Sequence, residues 1–150
     1  MQTVGVICEY NPFHLGHARQ LGLIRQQLGP GAAIVCLMSG NYVQRGEPAV
    51  FDKCVRARAA VEAGASLVLE LPVTYALRSA EGFAAGGVSI LSRLGCGFLS
   101  FGCESGDGDA IFRAAEASRS SEFAQTLHAN IQTGLSYAAA RQRALEALGQ

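Results

Sequence analysis

Two histidines, His14 and His17, flank Gly16 where an apolar run gives way to an amphipathic one. The run Val4-Gly5-Val6-Ile7-Cys8 reads as a buried strand, and Asn11-Pro12 after it is a turn signal. The following stretch, HARQLGLIRQQL, sets Ala18, Leu21, Ile24 and Leu28 on one helical face and Arg19, Gln20, Gln26 and Gln27 elsewhere. A helix N-terminus presents unpaired N–H groups and the positive end of the helix dipole, so it attracts an anion before any side chain is added. Gly16 omits a Cβ where a phosphate or a ring must come close. Imidazoles donate hydrogen bonds to phosphate oxygens and add charge when protonated. The chemistry these residues suit is phosphate handling, with His14 and His17 as the candidate catalytic pair.

The elements that must position this pair alternate along the chain. Strands are predicted over Thr3–Glu9, Ala33–Met38, Ser66–Leu71 and Phe98–Phe101. Helices are predicted over Gly16–Leu28, Asp52–Ala63 and Ala80–Leu94, the last in spite of Gly86-Gly87. Gly29-Pro30-Gly31, Gly64 and Gly95 are stops, and Asp52 is an N-cap. Ser39–Pro48 is a long polar loop. Beyond Asp107 the chain reads as helices, about Asp109–Arg119, Ser121–Gln132 and Ser136–Leu148, with no internal repeat and no low-complexity linker. Strand–helix alternation predicts an α/β fold, a doubly wound parallel sheet of Rossmann-like type followed by C-terminal helices. Ligands of such sheets lie outside the carboxyl ends of the strands, at a switch point.

Composition narrows the class. One hundred and fifty residues, 49% of them apolar, suffice for one domain with a core. Twelve basic residues balance twelve acidic ones, so charge gives no case for strong nucleic-acid binding. No stretch is long and apolar enough to span a bilayer, and no charged leader precedes the first strand, which predicts a cytoplasmic protein without membrane contact. Five cysteines without a CxxC pair fit neither a zinc site nor a disulfide framework and read as small apolar residues. No metal cluster is legible.

Other polar residues carry two readings each. Asn11 could bond its own turn or a ligand; Phe13 reads as packing rather than stacking. Gly102 serves either a tight turn or the close approach of a ligand, and Glu104 either a ribose hydroxyl or a helix cap. Asn41, Gln44, Arg45 and Glu47, on the polar loop after strand two, are placed over a substrate. Arg45 would meet a triphosphate or RNA phosphate. Lys53 opens the second helix as a further substrate candidate; Arg56 and Arg58, two apart, cannot share a face, so at least one is an ordinary solvated charge. Glu70, in a strand, should face the crevice or pair with an arginine. Arg78 and Glu81 are as readily an ion pair as substrate residues, and His128 reads as a surface histidine.

The strings EYNPFHLGH, MSGNYVQRGEPAVFDK, LVLELP, FGCE and GLSYAAARQ together resemble the bacterial tRNA(Met) cytidine acetate ligases, within the HxGH nucleotidyltransferase superfamily. The resemblance implies strand order 3-2-1-4, with the switch point between strands one and four. It implies an ATP site on Ile7, Cys8, Glu9, Tyr10, Asn11, Pro12, Phe13, His14, Leu15, Gly16, His17, Ala18, Arg19 and Gln20, with Gly102. It implies a two-step reaction: acetate and ATP give acetyl-adenylate, then the N4 amine of the wobble cytidine in elongator tRNA(Met) takes the acetyl group. ATP is the co-substrate, magnesium a plausible companion of the triphosphate. A Pro-Asn-Asn-type motif and a downstream arginine of the family's ATP site do not occur in these residues. The expectation is therefore an N-terminal ATP-binding domain over 1–150, truncated before the RNA-binding part, that folds and binds ATP weakly but does not acetylate tRNA alone. The alternatives are an adenylyltransferase acting on a small phosphorylated metabolite and a non-catalytic nucleotide- or RNA-binding module.

Overall fold

The strands β1 (Thr3–Cys8), β2 (Ala33–Ser39), β3 (Leu67–Leu71) and β4 (Phe98–Leu99) pair in parallel, in the order β3-β2-β1-β4. The computed structural model describes residues 1–103 and 106–149. Glu104, a candidate from the sequence, lies outside them. The chain divides into two units, Met1–Gly102 and Cys103–Gln150.

In the first unit β2 is buried almost throughout, which explains its unbroken apolar run. Its alternate residues feed two cores. Ile34, Cys36 and Met38 join Val4, Val6, Leu21 and Ile24 on the face covered by α1 (Leu15–Leu28) and α2 (Lys53–Glu62). Val35 and Leu37 join Leu71, Ala76 and Leu91 on the face covered by α3 (Val73–Ala76) and α4 (Ala80–Arg93). The predicted order and the switch point between β1 and β4 are as observed. The short α3 was not foreseen, because Pro72 was read only as a stop. Pro72 is instead its N-cap, and Pro tolerates a helix start because it has no N–H to leave unpaired. β4 is shorter than predicted and its two residues are exposed.

Gly86 and Gly87 sit inside α4 because of what they touch. A Cβ on Gly86 would lie 2.3 Å from the Tyr75 ring, and one on Gly87 2.5 Å from Ile7 Cδ1. The pair lets α4 close onto β1 and α3. Gly86→Ala gains helix propensity of about 1 kcal/mol but overpacks a rigid ring at a cost of about 1–3 kcal/mol. The expected net result is destabilisation, read as a lower urea midpoint at unchanged m-value.

The second unit comprises α5 (Gly108–Ala117), α6 (Ser121–Gln132) and α7 (Tyr137–Ala147). Each is N-capped by a side chain, from Asp107, Ser120 and Ser136. Phe123, Ala144 and Leu145 form their core, with Ala114, Ala117, Leu127 and Leu148 packed against it. His128 is exposed and meets Gln132 at 3.0 Å. No helix among the described residues is long and apolar enough to cross a membrane.

Candidate functional site

A cleft of about 430 Å³ opens at the carboxyl ends of β1 and β4. Ile7, Cys8, Glu9, Tyr10, Asn11, Pro12, His14, His17 and Gln20 line it from one side, Phe101 and Gly102 from the other. Gln20 Nε2 donates to Ser100 Oγ at 3.2 Å and holds α1 to the segment after β4. Tyr10 turns the chain out of the sheet. Its φ of 48° is left-handed, uncommon for a side chain of this size, and only a packed surrounding holds it. That surrounding is the Phe13 ring edge-on at 4.8 Å, the His17 ring at 4.8 Å and Cys36 Sγ at 3.2 Å from the hydroxyl. Burial pushes the Tyr10 phenol and the Cys8 thiol up, so both stay protonated and neutral.

His14 is the N-cap of α1. Its Nδ1 accepts from Gly16 N at 3.1 Å, while His17 Nδ1 accepts from His14 N at 3.2 Å. This is a capping box built from two imidazoles instead of a hydroxyl and a carboxylate. Using Nδ1 as acceptor leaves each neutral ring one donor, Nε2–H. The rings stack at 3.7 Å. Burial, and secondarily the charge of His14, holds His17 below the usual imidazole value. His17 is thus a neutral donor at pH 7, where the sequence suggested a gain of charge. Gly16 also has a nearer reason than a ligand: a Cβ there would lie 2.9 Å from His14 Cε1, so glycine makes room for the capping ring.

Behind the cleft lies a residue that sequence reasoning assigned no role. Arg56 is 1% exposed. Its Nε donates to Phe51 O at 3.0 Å; Nη1 donates to Glu9 O at 2.6 Å and Ser39 O at 3.1 Å; Nη2 donates to Gly40 O. One guanidinium thus ties together the chain leaving β1, the end of β2 and the approach to α2. Burial lowers its pKa, opposed by the carboxylates of Asp52, Glu9 and Glu70, and an arginine remains protonated regardless. The available signal was helical spacing: Arg56, Ala60 and Ala63 fall on one stripe of α2, and the two alanines pack into the core. Arg58 is the solvated one of the pair.

Of the predicted nucleotide residues, Phe13, Leu15, Gly16, Ala18 and Arg19 do not line the cleft. Phe13 packs on Tyr10 as expected, and Leu15 is 88% exposed on the outer side of the first turn. Asn11 lines the cleft, and its Oδ1 accepts from Val50 N at 2.7 Å, not from its own turn. Gly102 has nothing within 4 Å of a would-be Cβ, and its φ lies outside the left-handed region. Among the described residues, neither the backbone conformation nor packing requires glycine there. Phe101, a cleft residue, was missed because it read as the end of a strand.

The substrate candidates lie off this cleft. Gln44 N donates to Glu9 Oε1 at 2.6 Å, so the cleft's carboxylate holds the loop. Arg45 is exposed at the loop tip with φ 71°. Asn41 lines a separate cavity. Lys53 Nζ meets Glu70 Oε2 at 2.7 Å, and this bond raises the lysine pKa. Glu70 was expected to face the crevice or to pair with an arginine; it lies off the cleft and pairs with this lysine, because α2 starts over the end of β3. Glu70 is also half exposed, since β3 is an edge strand. Arg78 places its guanidinium 5.9 Å from the Tyr75 ring centroid and forms no described pair with Glu81. Among the described residues no three His, Cys, Asp or Glu side chains converge as metal ligands, and no disulfide joins the cysteines.

The model of the HIGH nucleotidyl transferase family matches residues 1–150. This chain belongs to that family. Members named tRNA(Met) cytidine acetate ligase match it strongly: the Exiguobacterium protein is 46% identical over 96% of this chain and 39% of its own, the Oceanobacillus iheyensis protein 40% identical over 99% and 38%. The crystal structure of Thermotoga maritima TmcAL bound with alpha-thio ATP superposes with a TM-score of 0.86 at 42% identity, covering 97% of this chain and 36% of that one. The chain thus spans under two fifths of the length of these relatives. The family's HxGH signature falls on His14-Leu15-Gly16-His17, the capping box of α1.

Proposed function

We propose that this chain binds ATP in the β1–β4 cleft and activates acetate there, as the nucleotide-binding part of a tRNA(Met) cytidine acetate ligase. The observation that carries the reading is the imidazole-capped end of α1 at the switch point, in a fold shared at a TM-score of 0.86 with a TmcAL bound to alpha-thio ATP. An acetate oxygen attacks the α-phosphorus in line, pyrophosphate leaves, and acetyl-adenylate results. No covalent enzyme intermediate is needed; positioning and fixed donors suffice. The Nε2–H groups of His14 and His17 and the first-turn amides supply those donors. Magnesium would be held by the triphosphate and water, since its sites seldom need a protein cage. In the second step the N4 amine of cytidine attacks the acetyl carbonyl carbon, AMP leaves, and the amine loses a proton. Transfer to tRNA is proposed for the whole protein, with the 150-residue chain binding ATP but leaving tRNA unmodified on its own.

The test is ATP–pyrophosphate exchange. Labelled pyrophosphate is expected to enter ATP only when acetate is present, in a protein containing this domain. Exchange that ignores acetate and requires a phosphorylated metabolite would overturn the assignment. Gly102→Val supplies a second expectation. No described residue of the first unit lies within 4 Å of a would-be Cβ at Gly102, so the fold of that unit should be unchanged. A ligand filling that space would meet the new methyls and lose affinity by about tenfold or more, the scale of an overpacked contact.

A further inference from the structure

A second cavity, of about 230 Å³, lies at the carboxyl ends of β2 and β3 and shares no lining residue with the cleft. Gly40, Asn41, Tyr42, Glu70 and Val73 line it. Resting on the ligase reading above, we propose that this cavity takes the cytosine base that accepts the acetyl group.

Its position fits an acceptor site. The Arg56 guanidinium donates at once to Glu9 O, on the wall of the cleft, and to Gly40 O, on the wall of the cavity. Cleft and cavity therefore stand side by side along one carboxyl edge of the sheet. The Glu9–Gln44 bond joins the cleft to the loop that carries Asn41 and Tyr42.

Its chemistry fits a pyrimidine. Tyr42 is 49% exposed, yet its backbone is fixed: the loop closes as a hairpin through Ala49 N to Asn41 O and Val43 N to Glu47 O, both 2.9 Å, with Tyr42 bridged to Pro48. An exposed ring on a fixed backbone is a stacking platform, which is how unpaired bases are held. Glu70 spends Oε2 on Lys53, and its remaining lone pairs are acceptors. A Cβ at residue 40 would stand 2.1 Å from Glu70 Oε1, so glycine there is what lets the carboxylate lie along the wall. A carboxylate accepts from the N4 amine of cytosine. The Asn41 amide is available to donate to N3 or O2. Uracil presents O4, an acceptor, where cytosine presents its amine, and would set it against Glu70 Oε1, another acceptor, while Oε2 stays with Lys53. The Lys53–Glu70 pair is neutral as a whole and gives no surplus charge for acetate or a triphosphate, whose place is the histidine cleft.

The experiment is a nuclear magnetic resonance titration of the labelled 150-residue chain with cytidine, with uridine and, separately, with ATP. Cytidine should shift the amides of Asn41, Tyr42 and Glu70 saturably and bind about tenfold or more tightly than uridine, the scale of one base-edge hydrogen-bond set. Tyr42→Ala should weaken cytidine about tenfold. Glu70→Gln should erase the preference, because its amide offers uridine a donor, and neither variant should alter ATP shifts over Cys8–His17. Equal shifts by cytidine and uridine, shifts confined to the cleft, or no saturable cytidine shift would overturn the proposal. The ATP arm reports on the nucleotide cleft alone and the acetate-dependent exchange above on the ligase reading, so failure of the base site appears in the cytidine arm by itself.

Discussion

Arg56→Ala is expected to destabilise the protein by about 4 kcal/mol or more and to abolish ATP binding with it. The substitution strands the carbonyls of Phe51, Glu9, Ser39 and Gly40, which now share one guanidinium. A buried acceptor left without its donor costs about 1–3 kcal/mol, and the vacated volume adds to it. Against a total stability of about 5–15 kcal/mol this is a large fraction. Arg56→Lys is the informative control. It keeps the charge but replaces a planar fork of five donors with a compact ammonium that cannot reach all four carbonyls. Urea unfolding should rank wild type above Lys and Lys above Ala. A wild-type midpoint for Arg56→Lys would show that charge alone matters there and that the fork does not.

That residue also marks where sequence reading ran out. The strand–turn–helix at Asn11–His17 was legible because everything it needs is local: an apolar run, a proline turn, a cap and an amphipathic helix. The sheet order followed from the resemblance, and its parallel pairing from the alternation of elements. Arg56 was hidden because its four partners lie on three separate segments, none of which announces a need for a donor. Only its place on the apolar stripe of α2 gives a local sign; the spacing of Arg56 and Arg58 requires at least one solvated charge without saying that it is Arg58. The Lys53–Glu70 pair was hidden for the same reason, since its partners come from an edge strand and the helix before it. Gly16 and Gly102 show the converse. Sequence marks a glycine but not its reason: Gly16 makes room for the His14 ring, whereas no described residue fills the space beside Gly102.

His17→Glu separates the two duties of the signature histidine. As the third residue of α1, His17 accepts from His14 N, the position at which a capping box usually carries Glu or Gln. Glutamate preserves that bond and favours the positive end of the helix dipole, which offsets part of the loss of the imidazole ring from the packing around Tyr10, so the variant is expected to remain folded. Facing a triphosphate, the same carboxylate repels, and the Nε2–H donor is gone. ATP affinity should fall by about a hundredfold or more, as hydrogen bonds to charged groups are worth about 1.5–3 kcal/mol each before repulsion is added. Calorimetry on the variant decides it: undiminished affinity would remove His17 from the phosphate site. The pH dependence of stability follows from the same geometry. His17 sits below the ordinary imidazole value in the folded chain, so the unfolded chain binds the proton more readily. Stability is unaffected well above about pH 6.5 and declines as the pH falls from there towards the lower folded value. Protonation at Nδ1 would also cancel its acceptor role and set a cation at a helix N-terminus. His17→Gln, which keeps an acceptor and cannot titrate, should flatten that decline while the wild-type chain loses stability over the same range.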